Sequence, residues 1–202
     1  MEQKPNLIII AGMPASGKST VAGELSKIFA YPILEKDALK EELFDTIGFT
    51  CYAEKRRLDP ATASVLLRCA DSLLESGLSL ILVNNFRTDM QDAVQAMIDK
   101  HDCNTVMVFF GGDGDVFYRR YVDRDLKQVR HAGHVVQDHY PLHEGEQALY
   151  TMTREEFADK FEKLGMADFK IDCPRIEVDA TYPESIDIPA LAEQIKKALS
   201  QE

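Results

Sequence analysis

The chain has 202 residues, 34 of them acidic against 23 basic, for a formal net charge of −11. Its length suits one domain able to bury a core without disulfide or metal staples, and 45% hydrophobic with 28% charged residues excludes disorder as the main state. The acidic balance argues against broad binding to a nucleic-acid backbone, which needs many cations to neutralise phosphates.

The run Leu7-Ile8-Ile9-Ile10-Ala11 is continuous rather than alternating, the pattern of a strand covered on both faces, and a glycine-rich turn follows at once. It is too short for a signal-peptide core or a membrane span. Val21, Ala22, Leu25, Ile28 and Phe29 recur at helical spacing over Lys18 to Phe29. A short strand fits 32–35, and Asp37 to Phe44 reads as the opening of another helix. Asp59-Pro60 signals a helix start, Asp as cap and Pro at the first helical position, with Val65, Leu66, Cys69, Leu73 and Leu74 forming an apolar face up to Gly77. A third strand is predicted over 78–83, a helix over 89–99, a fourth strand over 105–110, a last strand over 175–178 and a terminal helix over 188–199. Strands alternating with helices at this spacing imply βαβ crossovers and a parallel sheet. The stretch from about 111 to 164 is richer in charge and His, and reads as mobile helices over the site. Cys51, Cys69, Cys103 and Cys173 include no C-x-x-C pair, as expected of reduced thiols in a cytoplasmic protein. No fixed-period repeat or low-complexity tract interrupts this order.

Gly12-Met13-Pro14-Ala15-Ser16-Gly17-Lys18-Ser19 matches G-x-x-x-x-G-K-S in full, after a buried strand and opening a helix. The glycines let backbone N–H groups curl around phosphates, and the helix N-terminus adds a positive dipole end. Lys18 then reaches the β and γ phosphates, and the Ser19 hydroxyl can ligate Mg²⁺. Gly12 through Thr20 is therefore the predicted site for a nucleoside triphosphate.

Asp37 follows the second strand, so it falls at the carboxyl end of the sheet, where ligands bind in open α/β folds. A carboxylate there can accept a proton from an acceptor hydroxyl or orient it, or it can simply cap the following helix. Arg119, Arg120, Arg124 and Arg130 lie close together, with Arg120 and Arg124 on one helix face. They suit a lid over phosphates, with Gly111-Gly112 and Gly133 at its borders; the interleaved Asp123 and Asp125 allow a solvated, salt-bridged helix instead. Arg87, beyond the third strand, is a candidate acceptor contact. Lys55-Arg56-Arg57 could face an anionic acceptor or merely solvate a loop. His131, His134, His139 and His143 fit no standard metal spacing and read as solvated or phosphate-facing. Thr153-Arg154-Glu155-Glu156 has capping-box spacing.

The phosphate loop, the Lys36-Asp37 corner with the helix after it, Arg120-Tyr121-Val122-Asp123-Arg124, Arg130-His131-Ala132-Gly133-His134 and Ile176-Glu177-Val178-Asp179-Ala180-Thr181 resemble, in order, the P-loop small-molecule kinases. This group includes chloramphenicol phosphotransferase, zeta-toxin-type kinases, gluconate and shikimate kinases and the kinase domain of polynucleotide kinases. The resemblance implies a three-layer α/β sandwich with a parallel five-stranded sheet. It implies one kinase domain over 1–202, with its core at 5–110 and 169–202, acceptor-binding helices at about 38–76 and a lid region at about 111–164. It further implies that ATP and Mg²⁺ are the cofactors, that Asp37 binds or deprotonates an acceptor hydroxyl, and that Arg120 packs on the adenine. Arg124, with Arg130 in reserve, would reach the γ-phosphate, and residues 179–181 would border the base. One departure stands out: relatives often carry an acid at the end of the third strand, where this chain has Val83-Asn84-Asn85. The expected activity is transfer of the γ-phosphoryl of ATP to a hydroxyl of a small-molecule or nucleotide-like acceptor, without a long nucleic acid or a membrane as partner. A nucleotide-binding switch or regulatory ATPase, or a polynucleotide 5′-hydroxyl kinase, is the alternative.

Overall fold

The computed structural model describes residues 4–127, 129–148 and 152–200. Strands β1 (Asn6–Gly12), β2 (Ile33–Glu35), β3 (Leu80–Val83), β4 (Asn104–Gly111) and β5 (Arg175–Asp179) form one sheet in the order β2-β3-β1-β4-β5. Every pairing is parallel, and Ile10 lies between Val83 and Val108 in register. The continuous apolar run of β1 follows from that central place, since helices cover both faces and Leu7 to Ile10 are wholly buried.

On one face Ile8 and Ile10 pack against Val21 and Leu25 of α1 (Lys18–Phe29) and Leu191 and Ile195 of α8 (Ile188–Leu199). On the other, Leu7 and Ile9 meet Leu66, Ala70 and Leu74 of α3 (Tyr52–Glu75) and Val94 and Ile98 of α4 (Gln91–His101). A third, smaller cluster joins Phe44 of α2 (Lys36–Ile47) to Phe49, Leu58 and Val135 of the short helix α6 (Ala132–Val135). The parallel sheet with helices on both sides is the α/β sandwich expected. Among the described residues no helix is long and apolar enough to cross a membrane, and the four cysteines are free thiols.

The largest departure from expectation concerns α3. It begins at Tyr52, so Pro60 lies inside the helix rather than at its start. Proline there removes one i→i−4 bond, yet Leu58, Thr62, Leu66, Ala70 and Leu74 form a buried stripe on both sides of it. Tertiary burial outweighs the local signal. Asp59 is no cap: its carboxylate accepts from both Lys36 Nζ and Lys40 Nζ at 2.8 Å. Lys55-Arg56-Arg57 consequently belongs to a helix, not a loop. Smaller shifts occur elsewhere. β3 starts at Leu80, because Ser79 Oγ is taken as acceptor by the Asn6 N–H at 2.9 Å. The helix expected over 89–99 divides into a 3₁₀ turn at Thr88–Met90 and then α4.

The region at 111–164 holds α5 (Gly114–Leu126), α6 and α7 (Arg154–Lys163). Phe117 of α5 and Phe157 of α7 reach the main core, where Phe157 packs edge-on to Tyr121 with centroids 5.3 Å apart. Thr153 and Glu156 form the reciprocal capping box at the start of α7.

Candidate active site

The loop from Gly12 to Ser19 takes its shape from two constraints. Gly12 has φ 125°, and a Cβ there would stand 2.2 Å from the Phe110 carbonyl oxygen, so only glycine lets β1 run this close to β4. The Met13 N–H then donates to that same oxygen at 3.1 Å. Gly17, at φ 85°, turns the chain into α1. The buried Lys18 ammonium donates to the carbonyls of Gly12 at 3.0 Å and Met13 at 2.5 Å, and to Ser16 Oγ at 3.3 Å. Burial brings its pKa down to about 7; the Arg124 charge adds to this, while Asp37 and Glu35 oppose it.

Beside the loop, the Ser19 hydroxyl donates to Glu35 Oε1. Glu35 ends β2, next to the Val83 end of β3 in register. The second strand thus places a carboxylate beside Ser19 where the third strand ends in Val83 without one, and sequence reasoning missed it although Glu35 stands two positions before Asp37. Asn84 has other duties: its amide donates to Met90 Sδ at 3.3 Å and its Oδ1 accepts from the Asn85 N–H at 2.8 Å. A serine hydroxyl beside a carboxylate is a hard-oxygen set, the kind Mg²⁺ takes together with phosphate oxygens and water.

Asp37 is the second residue of α2 and makes no capping bond, since Glu35 holds the cap position without one. Its carboxylate is open to the cleft but ringed by protein charge. Burial works to raise its pKa, and His134, Arg130, Lys36 and Lys40 together outweigh this and hold it below the ordinary carboxylate range. His134 is itself buried, with Nε2 3.2 Å from Glu41 Oε1, and burial depresses its pKa. The Asp59 clamp on Lys36 and Lys40 fixes these two lysines beside Asp37, and their charges keep Asp59 well below the usual range despite burial.

Arg124 and Arg130 both line the same cleft. Arg130 lies over the Tyr121 ring, 4.8 Å from its centroid, with Nη1 3.4 Å from Asp125 Oδ1. Arg124 differs in that its buried Nε has no hydrogen-bond partner among the described residues; burial, then the Arg130 charge, lowers its pKa. Asp123 turns instead to Lys127. Arg87 lines the cleft but is held in a two-point pair by Asp89, at 3.0 and 2.7 Å. Arg120 does not line it. Its guanidinium donates to the carbonyls of Ala180 at 2.9 Å and Thr181 at 2.5 Å, tying α5 to the end of β5.

The four histidines between 131 and 143 divide. His131 pairs with Asp45 at 3.1 Å and His134 with Glu41, whereas ligand atoms of His139, His143 and Glu146 lie within 4.8 Å of one another. There the Glu146 carboxylate already accepts from the His143 N–H at 2.8 Å and stands 2.8 Å from His139 Nε2.

Together the loop, Glu35, Asp37, Arg124 and Arg130 line one cleft of about 530 Å³, a size ordinary for small-molecule sites. Such a cleft, at the carboxyl ends of parallel strands, suits holding a polyphosphate against a second small molecule.

Known proteins share parts of this sequence and this shape. A shikimate kinase from Clostridium botulinum (strain Loch Maree / Type A3) is 55% identical over 38 residues, 19% of this chain and 22% of that protein. The chain thus matches about a fifth of that curated relative's length. A Chloroflexus aurantiacus J-10-fl protein, provisionally described as a kinase, has a crystal structure that superposes with a TM-score of 0.80 at 28% identity, covering 97% of this chain and 99% of its own. A gluconokinase from Sinorhizobium meliloti 1021 shares the fold at 16% identity, with a TM-score of 0.56 over 98% of this chain and 93% of its own. Residues 7–139, more than half of the chain, match the family model described as an AAA domain, and the chain belongs to that family of P-loop nucleotide-binding proteins.

Proposed function

We propose that the protein is an ATP-dependent phosphotransferase that moves the γ-phosphoryl group to a hydroxyl of a small-molecule acceptor. The observation that carries this reading is the convergence of the phosphate loop, Asp37 and two lid arginines from separate elements on one cleft. In phosphoryl transfer positioning and charge stabilisation supply most of the rate.

On this reading Lys18 exchanges its carbonyl and hydroxyl partners for β- and γ-phosphate oxygens, whose charge returns its pKa upward. Arg124, with its unsatisfied Nε, and Arg130 meet the charge that spreads over the γ-phosphoryl oxygens in the transition state. The acceptor oxygen forms a bond to γ-phosphorus as the bond to the β,γ-bridging oxygen breaks, and the electron pair leaves with ADP. The hydroxyl proton passes to Asp37. A carboxylate with a depressed pKa is a weak base, but a loose transition state asks little of the base until late, so orienting the hydroxyl is its larger contribution. Ser19 and Glu35 would hold Mg²⁺, which neutralises phosphate charge when bound.

The test is Asp37→Asn. It should lower acceptor phosphorylation by about 100-fold or more while the Kd for ATP moves less than about twofold. Unchanged turnover would remove Asp37 from the mechanism, and slow ATP hydrolysis that no hydroxyl compound accelerates would replace the kinase by a regulatory ATPase.

A further inference from the structure

The cleft is positive on an acidic protein. Nine lysines and arginines line it against four carboxylates, while the whole chain carries −11. Six of the nine have evident work. Lys18, Arg124 and Arg130 suit the triphosphate, Lys36 and Lys40 share Asp59 at 2.8 Å each, and Arg87 is held by Asp89.

Three cations remain: Lys55 and Arg56 on the first turns of α3, and Lys160 on α7. None of them pairs with a carboxylate among the described residues. Lys55 is 7% exposed, and its ammonium donates only to the main-chain oxygens of His134, at 2.9 Å, and Val136. Lys160 has the Phe161 ring 5.5 Å from its ammonium, and Arg56 has no polar partner among the described residues. The three are also close enough to repel. Burial first, then Lys40, Arg130 and Lys160, bring the Lys55 pKa to about 7; burial, then Arg130 and Arg56, lower that of Lys160. Asp59 opposes these shifts, but it already holds Lys36 and Lys40, and a buried ammonium among like charges with its counter-charge so shared is costly unless an anion completes the site. Tyr52 and Gln137 add a hydroxyl and an amide to the same wall.

We propose that Lys55, Arg56 and Lys160 form an anion subsite, and that the acceptor is a hydroxyl compound bearing its own phosphate or carboxylate group. The inference rests on the phosphotransferase reading for the word acceptor, and on the charge surplus for the anion. The anionic group lies between α3 and α7, and the reacting hydroxyl of the same molecule reaches Asp37.

Two arms test it on the full chain. The first measures ADP release with Mg²⁺ and ATP for ribose, ribonate and ribose 5-phosphate, a matched neutral, carboxylate and phosphate set. A charged member should exceed ribose in kcat/KM by about 100-fold, and the better of the two identifies which anion the subsite takes. Arg56→Ala and Lys160→Ala should each raise its KM by about tenfold, with the KM for ATP within about twofold, and Arg56→Lys should recover part of the loss. Ribose used as well as its charged partners, or an acceptor KM unmoved by both variants, would overturn the proposal. The second arm titrates inorganic phosphate by calorimetry into protein saturated with Mg²⁺ and a non-hydrolysable ATP analogue. The wild type should bind phosphate and the Arg56→Ala/Lys160→Ala double variant should not; no binding by the wild type overturns the subsite whatever the first arm reads. Phosphate binding without turnover of any acceptor keeps the subsite and removes the kinase reading, whereas turnover of neutral acceptors without phosphate binding does the reverse.

Discussion

Gly133→Ala should lower stability and loosen the acceptor side of the cleft while sparing the phosphate loop. A Cβ on Gly133 would stand 2.5 Å from Phe44 Cδ2, 2.6 Å from Cγ and 2.9 Å from Cβ, all inside van der Waals contact. Phe44 cannot yield: it is fully buried, with the Phe49, His131 and His134 rings 5.7, 5.7 and 5.1 Å from its own. The clash therefore drives α6 away from α2. Overpacking of this kind costs about 1–3 kcal/mol, and for a chain of this size about 2 kcal/mol lowers Tm by ~4–8 °C. The displaced segment carries the His134 and Val136 carbonyls that hold Lys55, and the His134 ring beside Asp37. Acceptor KM should accordingly rise while ATP affinity, set by Gly12 to Thr20, holds. Scanning calorimetry with Gly133→Ala, Phe44→Leu and the double variant measures the packing directly. The smaller Leu side chain should admit the new methyl, so the double variant should lose less than the sum of the two single losses. A Gly133→Ala protein melting within about 1 °C of wild type, with additive losses, would refute the argument.

Two further outcomes follow from the site. Glu35→Gln keeps the shape beside Ser19 but removes the charge, and should raise the Mg²⁺ concentration for half-maximal ATP turnover about tenfold; a magnesium titration at fixed ATP with an unmoved midpoint would exclude Glu35 from metal binding. Lys55→Met should change how stability depends on pH. In the folded chain Lys55 releases its proton near 7, whereas in the unfolded chain it does so near the ordinary 10.5. Between those values the unfolded state binds more protons, so this residue makes the fold more stable as pH rises. Tm of wild type minus that of Lys55→Met should therefore climb from pH 7 to pH 10, and a flat difference would show that Lys55 titrates normally.

What could be read from the sequence was what is local. The phosphate loop is contiguous, its glycines answer to backbone geometry, and β1 announces its central place by an unbroken apolar run. The Thr153 capping box is likewise complete within four residues. What escaped depends on partners distant in the chain. Asp59-Pro60 carries a strong local start signal, but the buried stripe from Leu58 to Leu74 overrides it, and the lysines that claim Asp59 lie 19 and 23 residues away. Lys55 looked like part of a solvated basic run because the carbonyls that hold it are 79 and 81 residues away. Glu35 was overlooked for a different reason. The third strand's end, where an acid is usual, carries none, and the sheet order that puts β2 beside β3 is not written in any short stretch of sequence.

The strand–helix corner at Glu35 and Asp37 has a consequence for how this protein can change. β2 passes directly into α2 with no intervening loop, so Glu35 and Asp37, to which the proposed function gives the metal and the acceptor, sit on one joint two residues apart. An insertion or deletion there would move both at once, and with them the distance between the phosphate being transferred and the oxygen receiving it. The α3 wall begins only at Tyr52, beyond α2 and the turn that follows it, and the α7 wall comes later still. They can be rebuilt to admit a different acceptor without disturbing the alignment of the reacting atoms. Attempts to redirect the proposed activity should therefore begin at Tyr52, Arg56 and Lys160 and leave the corner as it is.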